Sequence, residues 1–319
     1  MLKDIHHLLS VKRNLATHLL KRFLIFASFI LMLSVSGTAL GQDREKVTYV
    51  DYDELIGKVL SNLKAEQSKT YFLSSAELKA QTQGMPPDAK AKVNFPARPG
   101  KKILTSAQIF KASADGVLMI CKYYKPTKEG NEKVKLYATA TALSEDGVCV
   151  SNWHVFMNFI RPKGELETAD SLTFVVNLNG DIFPVESVLS YSQDADIALF
   201  KINSGNKHLH AIPLGDELNI GETVHTITNP ENYLYYYSKG VVARNTTDHK
   251  IGPMSNRMEI TADYAKGSSG GPILDDKGNL AGMVSSTYSI YAQDRPQINL
   301  QMVVKTTIPV GSIRRLIQF

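Results

Sequence analysis

Two textures of apolar spacing divide the chain. Over Asp51–Gln67, Leu55, Val59 and Leu63 recur at i, i+4 and i+8, which predicts one apolar face of an amphipathic helix. Ser74-Ser75-Ala76-Glu77 has the spacing of a capping box and predicts a second, short helix. Residues 84–102 then disperse Pro, Gly and Lys without periodicity and read as a linker. From about Ile103 the pattern changes. A short helix over Ser106–Ala112 leads into runs rich in Val, Ile, Tyr, Phe and Thr: Val117–Tyr124, Leu136–Leu143, Val148–Ser151, Leu172–Leu178, Val185–Tyr191 and Ile197–Ile202.

After Pro213 a second set follows: Thr223–Thr228, Gly240–Arg244, Met258–Thr261, Pro272–Leu274, Leu280–Ser285 and Ile298–Val304. Helical spacing returns only over Val310–Ile317. Two sets of about six short strands without helices between them exclude a parallel sheet and predict antiparallel barrels or sandwiches. The class is all-β, with an N-terminal helical extension over residues 42–103.

Charge sharpens the N-terminal boundary. The 319 residues carry a formal +5, but residues 1–41 hold five basic side chains against Asp4 alone. What remains is close to neutral, which gives no reason to expect a nucleic-acid partner. Lys21-Arg22 followed by 18 uncharged residues to Leu40, with Ala39-Leu40-Gly41 at the end, is the pattern of a signal peptide cleaved before Gln42. Eighteen apolar residues also suffice for an uncleaved signal anchor, which is the one route to a membrane here. Either way the chain is expected to be exported, to the periplasm or outside the cell. In such a compartment Cys121 and Cys149 either pair or stay as two buried thiols.

Three short segments carry chemistry. Lys266-Gly267-Ser268-Ser269-Gly270-Gly271-Pro272 sets a Ser among glycines between two strands, where backbone can approach a ligand closely. Ser151-Asn152-Trp153-His154 places a His directly after a strand, and Asp194-Ala195-Asp196 places an Asp directly before one. A Ser hydroxyl needs an adjacent base to act as a nucleophile. A His serves if a carboxylate fixes its tautomer. His208 and His210 share one face of a strand but have no third ligand at metal-binding spacing, so neither a metal nor a cofactor is expected.

These segments, in the order His154, Asp196, Ser269, resemble the three motifs of trypsin-like serine proteases, in particular the bacterial HtrA/Deg-like branch. The resemblance rests on ATATALSEDGVCVSNWHVF, DADIALFKI and AKGSSGGPILDDKGNLAGMVSS, and covers roughly residues 103–319. It implies a chymotrypsin-like fold of two six-stranded antiparallel barrels, a protease domain over 104–319, and cleavage of protein or peptide substrates. It implies Ser269 as nucleophile, His154 as general base and acid, Asp196 as orienting carboxylate, and the N–H groups of Gly267 and Ser269 as the oxyanion hole. Ser285 falls where the family has a Ser that hydrogen-bonds the Asp, on the strand that docks substrate. Asp263 is either an acid near the base of the specificity pocket, favouring Lys or Arg substrates, or a turn-capping Asp. Ser268 stands where digestive members have the Asp that pairs with a new N-terminus, so that activation route is not expected; nor is the C-terminal PDZ domain that HtrA proteins carry. A catalytically silent, peptide-binding protease fold is the alternative.

Overall fold

A computed structural model of the chain describes residues 47–93, 98–125, 131–160, 171–231 and 233–318. The leader over 1–41 and its expected cleavage point lie outside the described residues. The chain divides into two compact units, Met1–Val50 and Asp51–Phe319. Of the first, residues 47–50 are described, exposed and without regular structure.

The second unit opens with helix α1 (Tyr52–Gln67), whose N-terminus is capped by Asp51 accepting from the Glu54 N–H at 2.8 Å. Val59 and Leu63 are its buried positions. Helix α2 (Ser75–Thr82) starts at the expected capping box of Ser74 and Glu77. Helix α3 (Ser106–Ser113) has a second capping box, of Thr105 and Gln108. Between α2 and α3 the stretch read as a linker is tied down at two points. Strand β1 (Ala91–Lys92) runs parallel to β14 (Ile317–Gln318), and Gly100 exchanges hydrogen bonds of 2.6 and 3.0 Å with the Asn279 side chain. Strand–strand pairing and side-chain amides of distant residues do this, and neither leaves a local periodic signal.

The strands form two closed, six-stranded barrels in which every neighbouring pair is antiparallel. The first is β2 (Val117–Tyr124), β3 (Lys133–Ala142), β4 (Val148–Ser151), β7 (Ile197–Ile202), β6 (Ile182–Ser192) and β5 (Leu172–Val176), in that spatial order. The second is β10 (Arg257–Ile260), β13 (Ile298–Pro309), β12 (Leu280–Gln293), β11 (Pro272–Leu274), β8 (Thr223–Thr228) and β9 (Tyr236–Thr246). Helix α5 (Val310–Arg315) follows β13. Helix α4 (Trp153–Ile160), directly after β4, lies where no helical pattern was legible.

The core explains why the extension is more than an appendage. Strand β2 is buried on both faces: Val117, Met119 and Cys121 join one apolar cluster, Leu118 and Ile120 another. The first cluster also takes Val59, Leu63, Phe72 and Ala91 from the extension, and Leu274, Leu280 and Ile308 from the second barrel. The second takes Leu78 from α2. Ser75 Oγ, fully packed, donates to the Ser171 carbonyl at 2.8 Å. Tyr235 is buried, stacks on Tyr52 at 6.3 Å and donates to the Val117 carbonyl at 3.1 Å, whereas Tyr233 is exposed. Cys121 and Cys149 belong to different clusters and are free, buried thiols.

Candidate active site

The site is assembled across the two barrels. His154 enters on the first turn of α4, just past β4. Asp196 sits in the turn before β7 with φ of +58°, a left-handed conformation that non-glycine residues rarely hold without support. That support is dense. Its carboxylate accepts from the His154 backbone N–H at 3.1 Å, from Asn152 Nδ2 at 3.0 Å and from Ser285 Oγ at 2.7 Å. Asn152 Nδ2 also reaches the Asp196 carbonyl at 3.1 Å. The carboxylate thereby receives a first-turn backbone N–H of α4, that of His154, where a helix favours negative charge. This tertiary anchor accounts for a short helix that the local sequence did not announce.

His154 Nδ1 lies 3.0 Å from both Asp196 oxygens, and its Nε2 lies 3.1 Å from Ser269 Oγ. A proton on Nδ1 facing the carboxylate leaves Nε2 as the acceptor for the Ser269 hydroxyl. Ser269 Oγ also lies 3.3 Å from the Ser285 carbonyl, a longer and competing acceptor. The His154 side chain is 42% exposed and that of Asp196 16%, so the imidazole faces a solvent-accessible cleft while its carboxylate partner is shielded.

The loop that carries Ser269 is held by the first barrel. Thr139 on β3 donates its hydroxyl to the Gly267 carbonyl at 2.9 Å and its N–H to the Ser269 carbonyl at 2.9 Å. Thr141 Oγ1 donates to the Gly270 carbonyl at 3.0 Å. Beneath the loop, Ser268 is fully buried and donates to Thr228 at 3.0 Å. Gly267 has φ of +96° and Gly270 +88°. A Cβ on Gly270 would stand 2.1 Å from the Thr139 carbonyl, so only glycine fits between the barrels there. Among the described residues, neither the Gly267 nor the Ser269 N–H donates to a protein acceptor.

Ser285 therefore joins the cluster and Asp263 does not. The Asp263 carboxylate is 75% exposed and pairs with Lys305 Nζ at 2.8 Å, while the Lys305 side chain is largely buried. In this structure the Asp263 charge is thus met by a cation of the same chain and faces solvent. Its neighbour Tyr264 is buried, which raises its hydroxyl well above the usual range; the neutral group bridges the Ser286 and Thr306 carbonyls at 2.9 and 2.8 Å.

Thr139, Thr141, Asn152 and Arg257 were missed in the sequence. Arg257, on β10, donates to the Asp194 carbonyl at 2.8 Å and so clasps the Asp196 turn from the opposite barrel. Burial lowers its pKa, and the carboxylates of Asp196 and Asp194 work against that shift. The one available signal was Asn152, two residues before His154 in the motif.

Residues 138–283, which contain His154, Asp196 and Ser269, match the family model of the trypsin-like peptidase domain. Among curated proteins the chain is similar to Protease Do-like 5, chloroplastic, of Arabidopsis thaliana, at 25% identity over 60% of this chain and 59% of that protein. It is 26% identical to a probable periplasmic serine endoprotease DegP-like of Brucella suis over 61% of this chain and 37% of that protein. Against serine endoprotease DegS of Haemophilus influenzae the identity is 30%, over 50% and 43%. The chain thus spans between about a third and three-fifths of the length of these relatives.

Proposed function

Since this chain carries a trypsin-like peptidase domain related to the HtrA/Deg serine proteases, we propose that it is an exported serine endopeptidase acting through Ser269, His154 and Asp196. The observation that carries the reading is the continuous relay of 3.1 Å from Ser269 Oγ to His154 Nε2 and 3.0 Å from His154 Nδ1 to Asp196. Ser269 Oγ attacks the carbonyl carbon of the scissile peptide while His154 Nε2 takes its proton. The carbonyl oxygen becomes an oxyanion, received by the N–H groups of Gly267 and Ser269. Collapse breaks the C–N bond, and His154 returns the proton to the departing amine. Water, deprotonated by His154, then attacks the acyl-Ser269 ester; collapse releases the carboxylic acid, and His154 reprotonates Ser269. Asp196 holds the imidazole tautomer and balances its charge in both halves.

Substrates are proteins or peptides, since the chemistry acts on the bond that all of them share. The names of the relatives, periplasmic in one case and chloroplastic in another, agree with an exported chain whose leader lies in residues 1–41. Fluorophosphonate labelling of the purified chain and turnover of casein test the proposal. Both are expected in the native chain and neither in Ser269→Ala. Labelling that survives Ser269→Ala overturns the assignment; a native chain that binds peptides yet never labels is instead a silent peptide-binding module.

A further inference from the structure

Strands β12 and β13 run well past the barrel. β12 meets β11 only through Leu280–Met283, and β13 meets β10 only through Lys305–Thr307. Between these limits, Tyr288–Gln293 and Ile298–Val304 pair with each other alone among the described residues, as a two-stranded ribbon. The eight residues from Ser286 to Gln293 extend the strand about 26 Å beyond Ser285.

Two features set this ribbon apart from an ordinary protruding hairpin. First, neither Ser286–Gln293 nor Ile298–Val304 contains a Lys, Arg, Asp or Glu. Soluble proteins blunt exposed strand edges with charge, proline or very short strands, and this edge has none of these. Second, it presents apolar side chains to solvent: Tyr288 is 67% exposed, Leu300 and Met302 55% each. Tyr288 lies opposite Val304 and Ile290 opposite Met302, so these four share one face of the ribbon.

The free edge of β12 is continuous with the nucleophile. The Ser285 carbonyl faces Ser269 Oγ at 3.3 Å, away from β13. Ser285 sits at an irregularity in the pairing of β12 with β13, between Val284 and Ser286, so it does not set the phase beyond it; from Thr287 onward, alternate residues of β12 direct their backbone groups along the open edge away from β13. An extended chain whose scissile bond sits at Ser269 is led onto it.

We propose that this ribbon is a strand-pairing exosite: the open edge of β12 takes up the N-terminal side of an extended, uncharged polypeptide substrate, about five to eight residues ahead of the cleaved bond. The inference rests on the endopeptidase reading for the direction of the substrate. It goes beyond that reading in placing recognition far from the bond being cut. Backbone pairing supplies affinity without demanding a sequence, and the apolar face favours uncharged, aliphatic or aromatic side chains at alternate positions.

The test is a peptide series with one constant cleavage site, lengthened on the N-terminal side from four to ten residues with alternating Val and Ser. The kcat/KM is expected to rise at least about tenfold, or about 1.4 kcal/mol, with length. It should do so no longer when Ile290–Met302 is replaced by Asn-Gly, joining the opposed residues Ser289 and Val303. Four-residue substrates should be cleaved equally by both chains. In the intact chain, N-methylation of alternate substrate amides should cancel the gain in one register and not in the other. Binding of the labelled ten-residue peptide to Ser269→Ala, followed by anisotropy, reads the same edge without catalysis. A native chain that fails to label with fluorophosphonate but binds long peptides about tenfold tighter than short ones sinks the endopeptidase reading and keeps the exosite. No length dependence in cleavage or binding overturns the exosite. So does a length gain that survives trimming while the chain changes from oligomer to monomer, which would assign the ribbon to contacts between copies.

Discussion

At the residue scale, Asp196 is the most constrained side chain of the site. Four donors from two segments converge on it, and Ser285 supplies the shortest, at 2.7 Å. Ser285→Ala removes one of these and leaves the His154 contacts in place. A net hydrogen bond of about 0.5–1.5 kcal/mol predicts a two- to tenfold slower fluorophosphonate labelling rate, with the thermal midpoint little changed. Equal rates would mean that Asn152 and the α4 backbone suffice to orient the carboxylate.

The cysteines make a second prediction at this scale. Burial pushes the Cys121 thiol up to about 12 and raises that of Cys149 as well. An unfolded thiol ionises near about 8.5. The folded chain is therefore favoured fully below about pH 8.5, and this contribution drains away between that value and about 12, because the unfolded chain can release its proton first. Stability to urea should fall as pH rises through that window, and fall less steeply in Cys121→Ala. Neither thiol should react with Ellman's reagent at pH 8 until denaturant is added, when both should.

At the scale of elements, α1 belongs to the same core as both barrels. Leu63 is fully buried in that core. Leu63→Ala should cost about 2–5 kcal/mol and lower a single, global unfolding transition. A separate early transition of α1 with the barrels intact would show the helix to be independently attached. Much of this level was legible in the sequence. The boundaries of β2, β4, β7, β8 and β11 follow directly from their runs of β-branched, aliphatic and aromatic residues, because nearly every position of these strands is buried. What escaped depends on partners far along the chain. The α4 helix needs the Asp196 carboxylate, β1 needs β14, and the outer part of β12, Ser286–Gln293, is a polar-interrupted segment that becomes a strand by pairing with β13. The motifs singled out His154, Asp196 and Ser269, and the fold brings them into one cluster. The threonines that brace the Ser269 loop carried no mark, because a strand Thr looks the same whether its hydroxyl meets solvent or a distant carbonyl.

At the scale of the molecule, the junction of the barrels decides whether the cluster exists. Gly270 is its tightest point, with φ of +88° and with the Thr139 carbonyl and Ser151 Oγ both closer to its missing Cβ than any packed carbon tolerates. Gly270→Ala has to adopt a left-handed backbone and also part the two barrels. More than about 3 kcal/mol of stability should be lost, and labelling of Ser269 should fall to background even in whatever fraction remains folded at low temperature. Calorimetry and labelling on the same sample check this; a variant that labels normally would show that the junction yields without disturbing the site.

That junction also governs when the chemistry can begin. His154 and Asp196 come from one barrel and Ser269 from the other, 115 residues after the His, while β3 of the first barrel props the loop of the second. A molecule with one barrel formed owns a base without a hydroxyl, or a hydroxyl without a base. Under the proposed chemistry it is inert toward its neighbours during the interval when their unfolded chains are the most cleavable material at hand. Safety during biogenesis is thus a by-product of dividing the site between two halves.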